Sequence, residues 1–252
     1  MAKAPAASTQ VALFEDQLAA LAVESLKAEQ SSLQTTFLST KSGTLTYRGD
    51  AVAGNKLACV ILAAPVERLY YSTRYDPTKV VGPDCFAIAS IATGMTPNAA
   101  APQPQHSSCE GCPKNEWGSS PTGGKGKACR ETRRLLIIPA DAVTSAESVK
   151  AAEIAALRPP VTSLKNYATY VQTVAASLRR PPLAVISEIA VVPDAKTQFK
   201  VTFNMLKAID DPDIINALVV RSREEVEKAI ASAGVVDDSA PQVEATTESS
   251  RF

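Results

Sequence analysis

Four cysteines in one polar stretch of the chain have the spacing of metal ligands. Cys109 and Cys112 form a C-x2-C pair, and Cys85 and Cys129 lie on either side of it. Two thiolates separated by two residues reach one ion from a tight turn, and two more from flanking segments complete a tetrahedral site. Zinc is the metal that such a set of sulfur ligands favours. The residue types and their spacing therefore predict a structural zinc site.

Other chemistry fits parts of the same pattern. A C-x2-C pair also occurs in redox proteins, but there it follows a strand and opens a helix, and the surrounding Pro, Gln, Ser and Gly residues predict neither. A disulfide, free thiols and an iron-sulfur cluster remain alternatives. His106, the only histidine, lies three residues before Cys109 and could replace Cys85 as the fourth ligand. Cys59 lies in the apolar run KLACVILAA, which predicts a small buried core residue.

Composition limits the class of protein. The chain has 252 residues, enough for one elaborated domain or two small ones. Its 26 basic and 26 acidic side chains balance, so overall charge cannot explain binding to an anionic partner. Basic residues are nevertheless concentrated between Pro113 and Arg134, and acidic ones from Val236 onward. No signal peptide opens the sequence and no apolar run approaches membrane-spanning length, so we expect no membrane partner. Because thiols in metal-ligand spacing are typical of a reducing compartment, we expect a cytoplasmic location.

The elements that must position the cysteines are predicted from hydrophobic periodicity. Apolar residues recur at helical spacing over 9–30, and alternation between 35 and 77 predicts two or three antiparallel strands. After the cysteines, RRLLIIPAD predicts a buried strand, so the cysteine-containing loop is an insertion between strands. Residues 164–178 predict a helix with Ser163 as its N-cap, and 183–209 predict a hairpin joined at Pro193 and Asp194.

These elements predict an α+β fold with an antiparallel, OB-like β core and peripheral helices. The predicted organisation is an N-terminal helix over 1–30, a core over 31–234 with the zinc knuckle inserted at about 83–134, and a disordered acidic tail over 235–252. Shorter helices are predicted over 145–156, 213–216 and 222–233.

Motifs of common enzymes are absent from the sequence. It contains no G-x4-G-K-[ST] phosphate loop, G-x-S-x-G elbow or H-E-x-x-H helix, and one histidine leaves few routes to triad chemistry. The run PTGGKGK has the wrong spacing for a phosphate loop, so we interpret it as a flexible basic loop. A metal-dependent nuclease needs clustered carboxylates, but Asp210, Asp211 and Asp213 lie beside Pro212, where they predict a turn and helix cap. We therefore expect a protein that is not an enzyme.

Cations beside aromatic side chains favour binding to single-stranded nucleic acid. Such binding uses positive charges along the phosphates and aromatic faces on which bases stack. For any one tyrosine in a strand, burial in the core is an equally good explanation. Trp117 is the strongest candidate for stacking, because it is large and apolar in a polar loop; capping the metal site is its alternative role. The candidate binding residues are Lys41, Tyr47, Arg48, Arg68, Tyr70, Tyr71, Arg74, Tyr75, Lys114, Trp117, Lys125, Lys127, Arg130, Arg133 and Arg134.

Several of these segments together resemble a known family. The runs YYSTRYDP, PDCFAI, CEGCPKNEWGSSPTGGKGKACRETRRL and NYATYVQTVA are similar to those of a family of phage proteins that are uncharacterised or bind single-stranded DNA, over roughly residues 35–205. The resemblance implies a phage replication or recombination protein that coats single strands without sequence specificity, in the cytoplasm of the infected host cell. The metal ligands it implies are Cys85, Cys109, Cys112 and Cys129. The basic positions that match are Lys125, Lys127, Arg133 and Arg134.

Between the first two of these cysteines the sequence departs from the family pattern, which leaves the fourth ligand open between Cys85 and His106. The end of the chain adds a second indication. Many single-stranded-DNA-binding proteins end in an acidic segment with a terminal aromatic residue, which recruits partner enzymes. Asp237, Asp238 and Phe252 could dock phage replication or recombination enzymes in this way, although polar termini are common. An alternative function is a regulatory or structural phage protein whose zinc knuckle docks on a host protein.

Overall fold

A computed structural model describes residues 36–73, 81–121 and 123–231. The predicted N-terminal helix and acidic tail lie outside these residues. The described helices are α1 (Ala146–Ala151), α2 (Leu164–Leu178) and α3 (Pro212–Ala231). The described strands are β1 (Thr36–Leu38), β2 (Thr46–Tyr47), β3 (Asp50–Ala51), β4 (Lys56–Ala63), β5 (Val66–Tyr70), β6 (Cys85–Ala89), β7 (Arg130–Arg133), β8 (Leu135–Pro139), β9 (Ala155–Leu157), β10 (Val185–Asp194) and β11 (Gln198–Ala208).

The strands of the described residues form one large sheet and two smaller ones. The large sheet has six strands in the order β1-β9-β8-β4-β10-β11, and only the β1-β9 pair is parallel. A three-stranded antiparallel sheet has the order β6-β5-β7, and β2 pairs with β3. The predicted α+β class is therefore confirmed. A closed, OB-like barrel is not seen among the described strands, because the large sheet ends in two open edges at β1 and β11.

Strand β4 shows how the large sheet is buried. Its side chains alternate between two cores: Val60 and Leu62 pack on the side covered by α3, whereas Cys59 and Ile61 pack on the side covered by α2. Successive side chains of a strand point to opposite faces, so a strand covered on both faces is apolar throughout. This explains the uninterrupted apolar run in which Cys59 lies, and the residue is a buried core residue as predicted.

A bent two-stranded ribbon connects the large sheet to the three-stranded sheet. Strands β4 and β8 pair in the large sheet, and their continuations β5 and β7 pair in the small one. The first strand changes sheet at Ala64 and Pro65, and the second changes at Arg134, whose backbone N–H donates to the Pro65 carbonyl at 3.0 Å. The cysteine-containing loop lies between β6 and β7, at the end of this ribbon.

The helices and the hairpin follow the predicted pattern with four differences. The hairpin turns at 195–197 and not at Pro193 and Asp194, which are still paired with Phe199 and Gln198. Helix α2 spans the predicted residues, but Ser163 does not cap it; the Ser163 hydroxyl instead accepts from the backbone N–H of Val201 at 2.9 Å. The two short helices predicted after Asp210 form one continuous helix, α3. Helix α1 ends at Ala151, because the residues that follow enter strand β9. No helix of the described residues is long and apolar enough to cross a membrane.

Candidate metal centre and nucleic-acid surface

Two of the four cysteines are positioned by the three-stranded sheet. Cys85 is the first residue of β6 and pairs with Tyr70 on β5. On the other side of β5, Arg130 opens β7 and pairs with Leu69, and Cys129 immediately precedes it. Because β6 and β7 flank β5, these two cysteines lie on opposite sides of the same end of β5. Strand pairing thus brings together residues that are far apart in sequence.

The C-x2-C pair is folded back toward this strand end by backbone hydrogen bonds. The N–H of Cys109 donates to the Met95 carbonyl at 2.9 Å. Asn115 connects the two loop cysteines, since its side-chain amide donates to the Cys109 carbonyl at 2.8 Å and its backbone N–H to the Cys112 carbonyl at 2.9 Å. The N–H of Cys129 donates to the Lys114 carbonyl at 2.7 Å. The N–H of Asn98 donates to the Phe86 carbonyl on β6 at 2.8 Å, so the loop is tied both to β6 and to the residue that precedes β7.

All four cysteines line one cavity of about 10 Å³, which is the space of a single water-sized sphere. Arg68, Tyr70, His106 and Lys114 line it as well. The four cysteines are free thiols in the described residues, and none is part of a disulfide. The predicted ligands are thus neighbours around a space of the size that a single ion needs.

The pKa shifts of the thiols show the same proximity. Burial, together with the charges of Cys109, Cys112 and Cys85, raises the pKa of Cys129 to about 12. Burial also raises the pKa of Cys85, against a hydrogen bond from the Gln105 backbone, and the Cys112 charge adds to the rise. Thiolates this close repel one another, so several of them ionise together only when a cation is present.

The side chains as they stand do not form a finished coordination shell. Within residues 36–73, 81–121 and 123–231, no group of three or more His, Cys, Asp or Glu side chains could hold a metal ion. The shared cavity and the mutual charge effects place the sulfurs as neighbours, whereas a bound metal needs sulfurs at about 2.3 Å. The two observations are compatible, because neutral thiols without a central cation are not drawn together to metal-ligand distances.

His106 lines the same cavity as the four cysteines. Its Nδ1 lies 2.9 Å from the Ser108 carbonyl oxygen. The ring also packs on Gly111, where a Cβ atom would come within 3.2 Å of His106 Cε1. Glycine in the C-x2-C turn therefore leaves room for the imidazole. Cys85 and His106 both line the cavity, so the lining does not distinguish four sulfur ligands from three sulfurs and His106.

Aromatic and basic side chains lie beside one another on the cysteine-containing loop and at the end of β5. Trp117 is 79% exposed, and the Lys127 ammonium lies 5.1 Å from its ring centroid. Lys127 is held in place by the Asn115 side-chain oxygen at 3.1 Å. The Lys114 ammonium lies 5.3 Å from the Tyr70 ring centroid. We call this group the cysteine-loop surface; it consists of Tyr70 on β5 and of Lys114, Trp117, Lys125 and Lys127 on the loop. Arg130 is exposed, but it pairs with Leu69, so its side chain lies on the opposite face of the small sheet from Tyr70.

Other predicted DNA-binding residues lie away from the cysteine-loop surface or form hydrogen bonds and ion pairs within the protein. Arg134 is buried and paired with Glu67, and Arg68 is buried beside Glu131, so neither is part of the cysteine-loop surface. Arg133 donates to the Ala64 carbonyl at 2.9 Å.

Three of the predicted DNA-binding residues lie in the segment around β2 and β3. Lys41 lies in the turn that precedes β2, and Tyr47 lies in β2 and packs against the core that α2 covers. Arg48 lies over the Tyr47 ring at 5.2 Å and pairs with Glu153. Tyr71 follows β5 and is half-buried. Arg74, Tyr75, Asp237, Asp238 and Phe252 lie outside the described residues.

Sequence reasoning missed Glu67, Arg158 and the role of Asn115. Glu67 and Arg68 are neighbours on β5 and both are buried, which means that both faces of this strand are covered. Adjacent charged residues in a strand usually indicate a solvated face, so the pattern was misleading here. The carboxylates of the predicted helix cap behave as expected, since Asp211 accepts from the backbone N–H groups of Asp213 and Ile214 at 2.9 and 3.2 Å.

Comparison with known proteins gives no relative for this chain. No family model, no curated protein and no solved structure matches it.

Proposed function

We propose that this protein binds single-stranded DNA without catalysing a reaction on it, through the cysteine-loop surface. The observation that carries the proposal is Trp117, which is 79% exposed and has the Lys127 ammonium 5.1 Å from its ring centroid. An exposed indole beside a cation offers one group on which a base can stack and another that attracts the neighbouring phosphate. Lys114 with Tyr70 repeats the combination.

A structural zinc ion held by Cys85, Cys109, Cys112 and Cys129 is part of the proposal. The donor set, four sulfurs around a cavity of about 10 Å³, suits zinc. A polar, glycine-containing loop buries little apolar surface, so a metal cross-link between β6, β7 and the C-x2-C turn would order it before DNA binds. Less conformational entropy is then lost on binding.

The family resemblance supports a more specific role. A coating protein of phage replication or recombination acts in the cytoplasm of the infected host cell, and acidic and aromatic residues such as Asp237, Asp238 and Phe252 are suited to recruiting partner enzymes. DNA binding by the cysteine-loop surface does not require an OB-like core. The OB-like core stays a hypothesis.

The experiment that tests the proposal is binding of fluorescent poly-dT and of matched duplex at two salt concentrations, with protein of measured metal content. We expect a preference for the single strand, affinity that falls steeply with salt because counterions are released, and about one zinc per chain. Absence of binding to either DNA would contradict the proposal. Iron in place of zinc would retain the site but change its metal.

A docking role on a host protein is the second candidate, because exposed Trp and Arg side chains are also typical of protein interfaces. Trp117 is exposed on the loop, and Arg130 is exposed at the start of β7. Zinc-loaded protein that ignores DNA but co-purifies with one host protein, and loses it on Trp117→Ala, would favour this candidate.

A further inference from the structure

Arg68 is a buried cation with one unsatisfied donor. Its side chain is 9% exposed. Glu131, its direct partner across the β5-β7 pair, accepts from Nε at 2.8 Å and lies 2.7 Å from Nη2. The remaining nitrogen, Nη1, is buried without a hydrogen-bond partner in the part of the chain that the structure describes. A buried donor of this kind is costly unless an acceptor is present in the functional state.

The cysteine cavity is where the missing acceptor is expected. Arg68 lines that cavity together with Cys85, Cys109, Cys112 and Cys129. Cys109 packs in a buried cluster with Val66 and Ala87, and Ala87 is the direct cross-strand partner of Arg68, so this cysteine lies on the face of β5 that carries the guanidinium. A neutral thiol is only a weak hydrogen-bond acceptor, so it does little to satisfy Nη1. A thiolate is a strong one.

We propose that Arg68 is an outer-sphere partner of the metal centre, whose Nη1 donates to the Cys109 thiolate while Glu131 holds the guanidinium in place. This inference rests on the zinc site of the proposed function. Four thiolates around a divalent cation leave a net negative charge in a buried site, and a fixed cation beside them offsets part of it. Partners of this kind orient the ligand and raise metal affinity.

A purely structural role predicts a different result. If Arg68 only joined β5 to β7 through Glu131, then Arg68→Gln and Glu131→Gln would break the same ion pair. The two variants would then have the same affinity for zinc. As an outer-sphere partner, Arg68 supplies the charge and the donor itself, whereas Glu131 only orients it. Arg68→Gln should then weaken zinc binding more than Glu131→Gln does, and Arg68→Lys, which keeps the charge but not the planar fork, should recover part of the loss.

The test is a zinc titration of the full chain in competition with a chromophoric chelator. We expect the dissociation constant for zinc to rise about 10–100-fold in Arg68→Gln, with a smaller rise in Arg68→Lys. Cobalt(II) titration provides a second readout, because its sulfur-to-metal absorption band reports the electron density on the thiolates. A shift of this band in Arg68→Lys relative to the parent protein supports the inference. If Arg68→Gln does not fold, Arg68→Lys alone provides the test.

Failure of the inference can be distinguished from failure of the proposed function. Parent protein that binds zinc, with Arg68→Gln and Arg68→Lys both binding it equally tightly and with an unchanged cobalt band, overturns the role of Arg68 alone. Parent protein that binds neither zinc nor cobalt overturns the metal centre and the role of Arg68 together. DNA binding of the parent is measured separately, so its loss bears on the cysteine-loop surface and not on Arg68.

Discussion

Glu67 and Arg158, which are 91 positions apart in the chain, form a two-point ion pair in the interior. Arg158 Nε lies 2.5 Å from one carboxylate oxygen of Glu67, and Arg158 Nη2 lies 2.8 Å from the other. Arg134, at the bend of the ribbon, donates to the same carboxylate. The guanidinium of Arg158 also lies over the Phe37 ring, 4.8 Å from its centroid. This pair therefore connects β5, the ribbon bend and the segment after β9.

Removal of the Glu67 charge should strongly destabilise the protein. The carboxylate and its two arginine partners have side chains that are only 3–7% exposed, so Glu67→Gln leaves two buried guanidinium groups without their counter-ion. Loss of one partner of a buried pair costs about 3–5 kcal/mol. Urea unfolding at neutral pH measures the change. The control is Glu227→Gln on the exposed side of α3, which should change stability by less than about 0.5 kcal/mol.

The stability that Glu67 provides should depend on pH. Burial raises the pKa of Glu67, but the hydrogen bond and charge of Arg158, together with Arg134, lower it overall below the ordinary value of 4.5. A carboxyl whose pKa is lower in the folded state stabilises the fold above its unfolded pKa, and this stability is lost as pH falls through the folded pKa.

Urea unfolding of the parent and of Glu67→Gln from neutral pH to about pH 3 checks this dependence. The difference in unfolding free energy between the two proteins should stay constant above the ordinary pKa and shrink below it. Release of the proposed zinc ion at low pH would affect both proteins and cancel in the difference. A gap that widens with acid would contradict the direction of the shift.

Replacement of one cysteine of the C-x2-C pair should abolish zinc binding. In Cys112→Ser we expect the metal content to fall from about one zinc per chain to near zero, the loop to become protease-sensitive, and affinity for poly-dT to decrease. Metal analysis and fluorescence anisotropy measure these changes. Cys59→Ala is the matched control. Cys59 is buried in the core away from the proposed ligands, so this variant should still bind zinc. Unchanged DNA affinity in metal-free Cys112→Ser would break the proposed link between metal and binding.

Loss of the exposed indole should weaken DNA binding without unfolding the protein. Trp117→Ala removes a ring that is 79% exposed, so stability should be nearly unchanged. Stacking of a base on an aromatic side chain is worth about 1–3 kcal/mol, which corresponds to roughly 5- to 150-fold in the dissociation constant for poly-dT. The control is Val220→Ala on α3, a residue that is 55% exposed. Equal DNA affinity in both variants would remove Trp117 from the proposed surface.

Local patterns in the sequence were sufficient for several elements. The spacing of Leu164, Tyr167 and Val171 predicted α2 correctly, and the apolar run around Cys59 predicted a buried strand. Both signals arise from the geometry of one element, 3.6 residues per helical turn and two per strand repeat, so neighbours in sequence carry them. The C-x2-C pair belongs to the same class, because one short turn positions both sulfurs.

Other features depend on pairing between distant segments, which local patterns do not encode. Cys85 and Cys129 become neighbours only because β6 and β7 pair with opposite sides of β5. Arg68 and Arg134 look like surface cations in sequence, but the ribbon bend and the covered faces of β5 bury them beside Glu131 and Glu67. Their burial depends on which strands meet and where the ribbon turns from one sheet to the other, and such long-range contacts form only in the folded chain.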